Sequence, residues 1–378
     1  MEICQAKLAR ERKLNLYMSN SVYCKMPYEA YCLTAEGDGV PCCSFPKLLD
    51  PDDLIQPHNN KIFDLPVFQH LQDVMDEGDL PPYPYCNTCL KKESSGTKSY
   101  RMMYEESRKQ FNFPFEKNVL KNLDIAFSNT CNLSCIMCSN IFSSKWNTLK
   151  KSFPEELAIR KGNKPGNFTH SLNFKQIDEL IEKCKDLVTC SIKGGEPLYD
   201  KKTLYFLERL AKINNKVHIK IITNCTIPNI PLLKKFENVE LFASVDGIDK
   251  VYEYIRGWHD FKIISNNIED LIKNNIPVRI LFTTSAWNLH NLKDTQSYFH
   301  NLGVNDISAS VAGGWAVHFD LLGKARRNEL INDLDTTSLG FNVPFYEERG
   351  EEEILHWKQT TKIMNRQRGI NWEDLINV

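Results

Sequence analysis

Residues 122–138 read NLDIAFSNTCNLSCIMC, and the change of texture inside that stretch decides the fold. The run LDIAF at 123–127 reads as a short buried strand, and the polar residues Ser128, Asn129 and Thr130 end it. Three thiols follow at once, Cys131, Cys135 and Cys138, spaced i, i+4 and i+7. On a helix that spacing puts small apolar side chains on one core-facing stripe. In a loop it gathers three soft ligands where a cubane iron-sulfur cluster normally takes four, which leaves one iron open to an outside ligand. The polar flanks, with Ser139 and Asn140 on the far side, favour the loop.

Outward from this strand the chain alternates between two periods. Phe174, Ile177, Leu180, Ile181 and Cys184 fall at helical spacing, so 173–185 reads as an amphipathic helix. Further strands are expected at 187–192, 218–223, 239–245, 278–284 and 306–311, and further helices at 201–213, 261–273 and 292–302. Strands separated by helices argue for a parallel sheet with crossovers, and chemistry in such folds collects at the carboxyl ends of the strands. The second informative motif lies there, Gly194-Gly195-Glu196-Pro197 after strand 187–192. Glycines allow close backbone approach, and a glutamate accepts from an ammonium group. Alone, the motif reads as a turn.

With 378 residues, 42% of them hydrophobic and 25% charged, the chain has room for about two or three units and is neither collagen, coiled coil nor wholly disordered. A net charge of -1 gives no field toward nucleic acid or an anionic membrane. The opening residues carry charges throughout and no apolar stretch of the secretory kind, and runs such as VRILF at 278–282 fall far short of the roughly 18 residues that span a bilayer. A cytoplasmic, reducing setting is the expectation, and there cysteines serve metals or catalysis more than disulfides.

Of the thirteen cysteines, six lie between Cys24 and Cys89 in a segment with little apolar sequence for a core of its own. Cys24, Cys42 and the pair Cys86 and Cys89 supply four thiolates, with Cys43 as a substitute for Cys42. A tetrahedral zinc ribbon and an iron-sulfur cluster both suit them, and spacing does not separate the two. Cys184 and Cys190 read as core. Cys225, just past strand 218–223, either packs or offers a thiol at the expected mouth of the fold.

Taken together, Cys131-x3-Cys135-x2-Cys138 after the first strand and Gly194-Gly195-Glu196-Pro197 after the second resemble the radical S-adenosylmethionine (radical SAM) superfamily. The resemblance implies an α/β fold, a partial (β/α)6 TIM-like barrel. It implies a 4Fe-4S cluster on Cys131, Cys135 and Cys138 whose open iron chelates S-adenosylmethionine. It also implies that Glu196 and the backbone of Gly194 and Gly195 hold the methionine ammonium, with Pro197 completing the motif. Many members carry an aromatic residue where this chain has Met137. An electron from the cluster would cleave the sulfonium to a 5'-deoxyadenosyl radical that takes hydrogen from substrate. Ser244 and Arg256, after strand 239–245, are implied at the cofactor's carboxylate and ribose. Thr223, Asn224, Thr284, Ser285 and Asn288 are candidate wall residues. The N-terminal cysteines resemble a SPASM or twitch auxiliary-cluster domain, here preceding the barrel, and the ending Arg368-Gly369-Ile370-Asn371-Trp372 resembles that subgroup.

The expected divisions are an N-terminal helix at 1–19, an auxiliary cluster domain at 20–117, the barrel at 118–318 and a helical extension at 319–378. The charged stretch 347–368 reads as a solvated face. Implied partners are an electron donor such as flavodoxin or ferredoxin and an unidentified substrate, with a peptide or protein side chain favoured. A nucleotide- or sugar-modifying enzyme of the same class and a non-catalytic zinc-bound interaction protein are the alternatives.

Overall fold

The computed structural model describes residues 23–34, 39–43, 45, 62–79, 86–152, 172–257, 260–312, 318–332 and 350–376, without the side chains of 149–152. The expected helix at 1–19 lies outside these residues.

One eight-stranded sheet organises the chain. Its strands are β1 (Ala30–Leu33), β2 (Gly39–Val40), β3 (Asn122–Ile125), β4 (Thr189–Ile192), β5 (His218–Thr223), β6 (Asn238–Ser244), β7 (Val278–Thr284) and β8 (Ile307–Val311). They lie in the order β2-β1-β3-β4-β5-β6-β7-β8, parallel throughout except for the antiparallel β1–β2 pair. The six strands from β3 onward are those expected from the sequence, and most are separated by helices, as in Phe174–Ile181, Lys201–Ile213, Phe261–Lys273 and Leu292–Asn301. The architecture is an α/β fold consistent with a partial TIM-like barrel.

The two further strands come from the cysteine-rich segment. Ala30–Leu33 pairs in parallel with β3, placing Cys32 beside Asp124 and Leu33 beside Ile125. Tyr31, Leu33, Phe63, Phe68, Leu71 and Met75 from that segment are buried in the same apolar cluster as Ile125, Ile192 and Ile221 of the barrel. The scarcity of apolar residues between 20 and 95 is thus met by sharing the barrel's core, a solution that short-range patterns cannot display.

Register then sorts side chains onto two faces, because neighbours along a strand point oppositely. The row Leu33, Ile125, Ile192, Ile221 and Leu241 is almost wholly buried. The adjacent row, on the other face, runs Cys32, Asp124, Ser191, Lys220 and Glu240. An apolar face seats the helices, and the polar face lines the inside of the curved sheet.

A second apolar cluster forms beyond the strand ends. Ile136, Trp146, Tyr254, Ile255, Trp287, Ile363, Met364 and Trp372 pack together there. Trp372 Nε1 donates to the Trp287 carbonyl at 3.0 Å, and Tyr254 Oη donates to Asn365 Oδ1 at 2.9 Å. The C-terminal helix Glu351–Arg368 is therefore seated on the loop that carries Cys135, and its last residue, Arg368, is buried and not part of a solvated face.

Candidate functional site

The loop from Cys131 to Cys138 is not a helix, as its flanks suggest. Its turns are held from several sides. Ser143 Oγ donates to the Leu133 carbonyl at 2.6 Å, Trp146 Nε1 to the Cys135 carbonyl at 3.1 Å, and the Ile136 amide to Ile255 at 2.8 Å.

The Gly-Gly loop lies directly against this one. The Gly195 amide donates to the Ser128 carbonyl at 3.1 Å and the Glu196 amide to Thr130 at 2.8 Å. Glycine is required at both positions. Gly194 has φ +128°, and a Cβ on Gly195 would fall 2.2 Å from the Thr130 oxygen. Asp200, whose Oδ2 accepts from the Thr203 amide at 3.1 Å, caps the next helix and fixes the loop's far end.

Between the two loops opens a cavity of about 280 Å³, lined by Cys131, Cys135, Cys138, Lys193, Gly194, Gly195, Ile222, Thr223, Asn224, Ser244, Asp246, Arg256 and Thr283, among others. The three cysteines, the two glycines, Ser244 and Arg256 are thereby brought together. Arg256 Nη2 pairs with Asp246 Oδ2 at 2.6 Å, and its Nη1 donates to Cys135 Sγ at 3.6 Å. Asp246 is itself fixed, its Oδ1 accepting from the Thr283 amide at 2.8 Å. Thr223 and Asn224 are wall residues, whereas Ser285 and Asn288 are buried behind the wall, where Asn288 Nδ2 donates to the Asp246 carbonyl at 3.0 Å.

Two candidates stand elsewhere. Glu196 is buried and does not line the cavity. Its carboxylate accepts from Thr223 Oγ1 and the Asn224 amide, both at 2.6 Å, and from the Leu198 amide at 3.1 Å, so it ties the end of β5 to the Gly-Gly loop. Cys225 is fully buried in the main core, with φ +56°, away from the cavity lining. Its packing reading is the one this burial fits. Cys184 and Cys190 are likewise core.

The N-terminal thiols form a second group. Cys24, Cys42, Cys86 and Cys89 line one small cavity with Met75, Tyr100 and Arg101. Cys43 is exposed and is not in that lining. Burial and the neighbouring Cys89 push the Cys86 thiol up to about 11. Burial and Cys135 do the same to Cys131, also to about 11. Buried thiols crowded against one another keep their protons until a cation replaces them.

Sequence reasoning missed two residues. Lys193, paired with Asp124 at 2.7 Å, lines the larger cavity. Arg368, 234 positions away in the chain, donates to Ser134 Oγ at 3.2 Å and to the Ser134 carbonyl at 2.5 Å. No local pattern marks Lys193; Arg368 opens the ending motif, but its contact with the cysteine loop follows from tertiary packing alone.

Residues 125–297 match the family model of the Radical SAM superfamily. The chain carries a radical SAM domain. Proteins of that superfamily use a 4Fe-4S cluster and S-adenosylmethionine. Solved structures similar to this chain include native anSMEcpe with bound AdoMet, at 16% identity over 51% of this chain and 51% of that one, TM-score 0.38. Streptococcus suis SuiB bound to S-adenosylmethionine is similar at 15% identity over 80% of this chain and 65% of that one, TM-score 0.41. TYW1 with a lysine-pyruvate adduct bound is similar at 15% over 68% and 77%, TM-score 0.33. The chain thus spans about half the length of anSMEcpe. No curated protein matches.

The residues lining the cavity fit the superfamily's cofactors. Among the described residues three thiols line the cavity, the donor set that leaves one iron open. Its far wall is glycine backbone, where a side chain would collide with the cysteine loop.

Proposed function

We propose that the protein uses a 4Fe-4S cluster on Cys131, Cys135 and Cys138 to cleave S-adenosylmethionine and abstract hydrogen from a polar substrate. The observation that carries this reading is the single cavity shared by the three cysteines, Gly194, Gly195, Ser244 and Arg256. When bound, such a cluster supplies one electron to the sulfonium and so yields a 5'-deoxyadenosyl radical.

The chain's own residues divide the remaining work. Gly194 and Gly195 offer backbone to the methionine end of the cofactor, and Pro197 helps end the motif. Glu196 acts behind them as a positioning residue, fixing Thr223 and Asn224. Ser244 donates from the end of β6. Arg256, held by Asp246, orients its guanidinium beside Cys135. Cys24, Cys42, Cys86 and Cys89 would hold one auxiliary iron-sulfur cluster in a twitch- or SPASM-like arrangement that relays an electron or binds substrate. A reductant is required, with flavodoxin or ferredoxin as the proposed class.

The substrate belongs in the cavity beside the cysteine loop, whose walls include Lys193, Thr223, Asn224, Asp246 and Thr283. Hydrogen-bonding and charged walls select a polar molecule over a hydrocarbon, which agrees with a peptide or protein side chain. No helix among the described residues is long and apolar enough to cross a membrane. Deuterium transfer from labelled peptides into 5'-deoxyadenosine tests the substrate class. Transfer from peptides supports it, and transfer only from a nucleotide or sugar replaces it.

A further inference from the structure

The C-terminal helix brings a buried guanidinium against the cysteine loop. Arg368 is the last residue of helix Glu351–Arg368 and is 5% exposed. Its guanidinium holds Ser134 by both side-chain hydroxyl and carbonyl, at 3.2 and 2.5 Å, one residue before Cys135. Space for it is kept by Gly257, at φ +91°, where a Cβ would meet Ser134 Oγ at 2.7 Å and Arg368 Nη1 at 2.8 Å. Gly257 directly follows Arg256, whose own guanidinium reaches Cys135 Sγ. Two guanidinium groups, one from the barrel and one from the tail, thus reach the middle of the cysteine loop, Arg256 at Cys135 and Arg368 at Ser134. Burial lowers Arg368 to about 10, so it remains a cation at neutral pH.

We propose that Arg368 is a positioning residue that sets the reduction potential of the cluster bound at Cys131, Cys135 and Cys138. The proposal rests on that cluster's being bound there. One-electron reduction adds negative charge to the cluster, and a fixed cation in a water-poor setting favours the charged state it opposes. The same side chain ties the C-terminal helix to the loop, so the tail acts on the site electrostatically as well as by packing.

The test is a redox titration of the anaerobically reconstituted full chain with dithionite, followed by electron paramagnetic resonance of the reduced cluster and by iron content. In Arg368→Met the ratio of reduced to oxidised cluster at a fixed potential should fall about tenfold, which is about 59 mV to the negative for one electron. Arg368→Lys, keeping the charge, should recover most of that shift. A loaded Arg368→Met protein with the wild-type midpoint overturns the proposal, as does Arg368→Lys shifted as far as Arg368→Met, which would leave a packing role only. Should Arg368→Met take up no iron, Gly257→Ala displaces the guanidinium without removing it. A negative shift there supports the proposal and an unchanged midpoint overturns it. Wild-type protein that binds no iron at the three cysteines fails the proposed function itself.

Discussion

At the scale of single residues, Glu196 shows how a motif's most conspicuous member can serve the fold. Burial raises its carboxyl from the ordinary 4.5 to about 7, against hydrogen bonds from Asn224, Thr223 and Leu198 that lower it. The folded chain therefore binds this proton more tightly than the unfolded one. Its contribution to stability is full below about pH 4.5 and is lost as pH rises through about 7. Glu196→Gln is neutral at every pH. In urea unfolding of the metal-free proteins, wild type should lose up to about 3 kcal/mol relative to the variant between about pH 5 and about pH 8. Parallel stability curves would contradict the buried assignment. Gly195 permits no such subtlety. Gly195→Ala sets a methyl group against the Thr130 carbonyl, with an expected cost of about 3 kcal/mol or more. Iron retained at Cys131, Cys135 and Cys138 should fall with it, and a variant of wild-type stability and iron content would refute the loop contact.

Between elements, the C-terminal helix is the part whose role depends on tertiary structure. Trp372 is buried against Trp287 and Trp357 and shares an apolar cluster with Ile136, between Cys135 and Cys138. Trp372→Ala should cost about 3 to 5 kcal/mol, and iron should leave the cysteine loop faster than in wild type when the protein is challenged with chelator. Equal rates of loss would separate the tail from the site. The strands from β3 to β8 were legible from residues 123–127 onward because periodicity is a local signal, and the three cysteines and two glycines were legible because their spacing is short. Strand β1 was not, since four residues carry no period and its partner lies about ninety positions away. Arg368 sat in a charged stretch that reads as solvent-facing, and only the packing of its helix buries it. Lys193 was hidden for a similar reason, because its partner Asp124 lies on the neighbouring strand. The helical face reading of the three cysteines fails for a physical cause as well: apart from one turn, in which the Cys138 amide donates to the Cys135 carbonyl at 2.9 Å, the loop is bonded to Ser143, Trp146 and Ile255.

For the molecule as a whole, two cysteine groups flank one continuous sheet. Cys32 of β1 adjoins Asp124 of β3, and Asp124 pairs with Lys193 at the edge of the larger cavity. The N-terminal segment is thereby built into the wall of the site and is not merely tethered beside it. If each group holds its own cluster, their metal contents are separable although their scaffold is not. Replacing Cys24, Cys42, Cys86 and Cys89 by alanine should remove about four irons and, by emptying a cavity packed on the barrel's core, should also destabilise the chain. The complementary variant tests the account most directly. Wild-type protein and a Cys131, Cys135, Cys138 triple alanine variant are reconstituted anaerobically, assayed for iron and sulfide, and given dithionite and S-adenosylmethionine. Wild type should bind about eight irons and release 5'-deoxyadenosine, while the variant should keep about four and release none. Zinc in place of iron, or 5'-deoxyadenosine formed by the variant, would contradict the account.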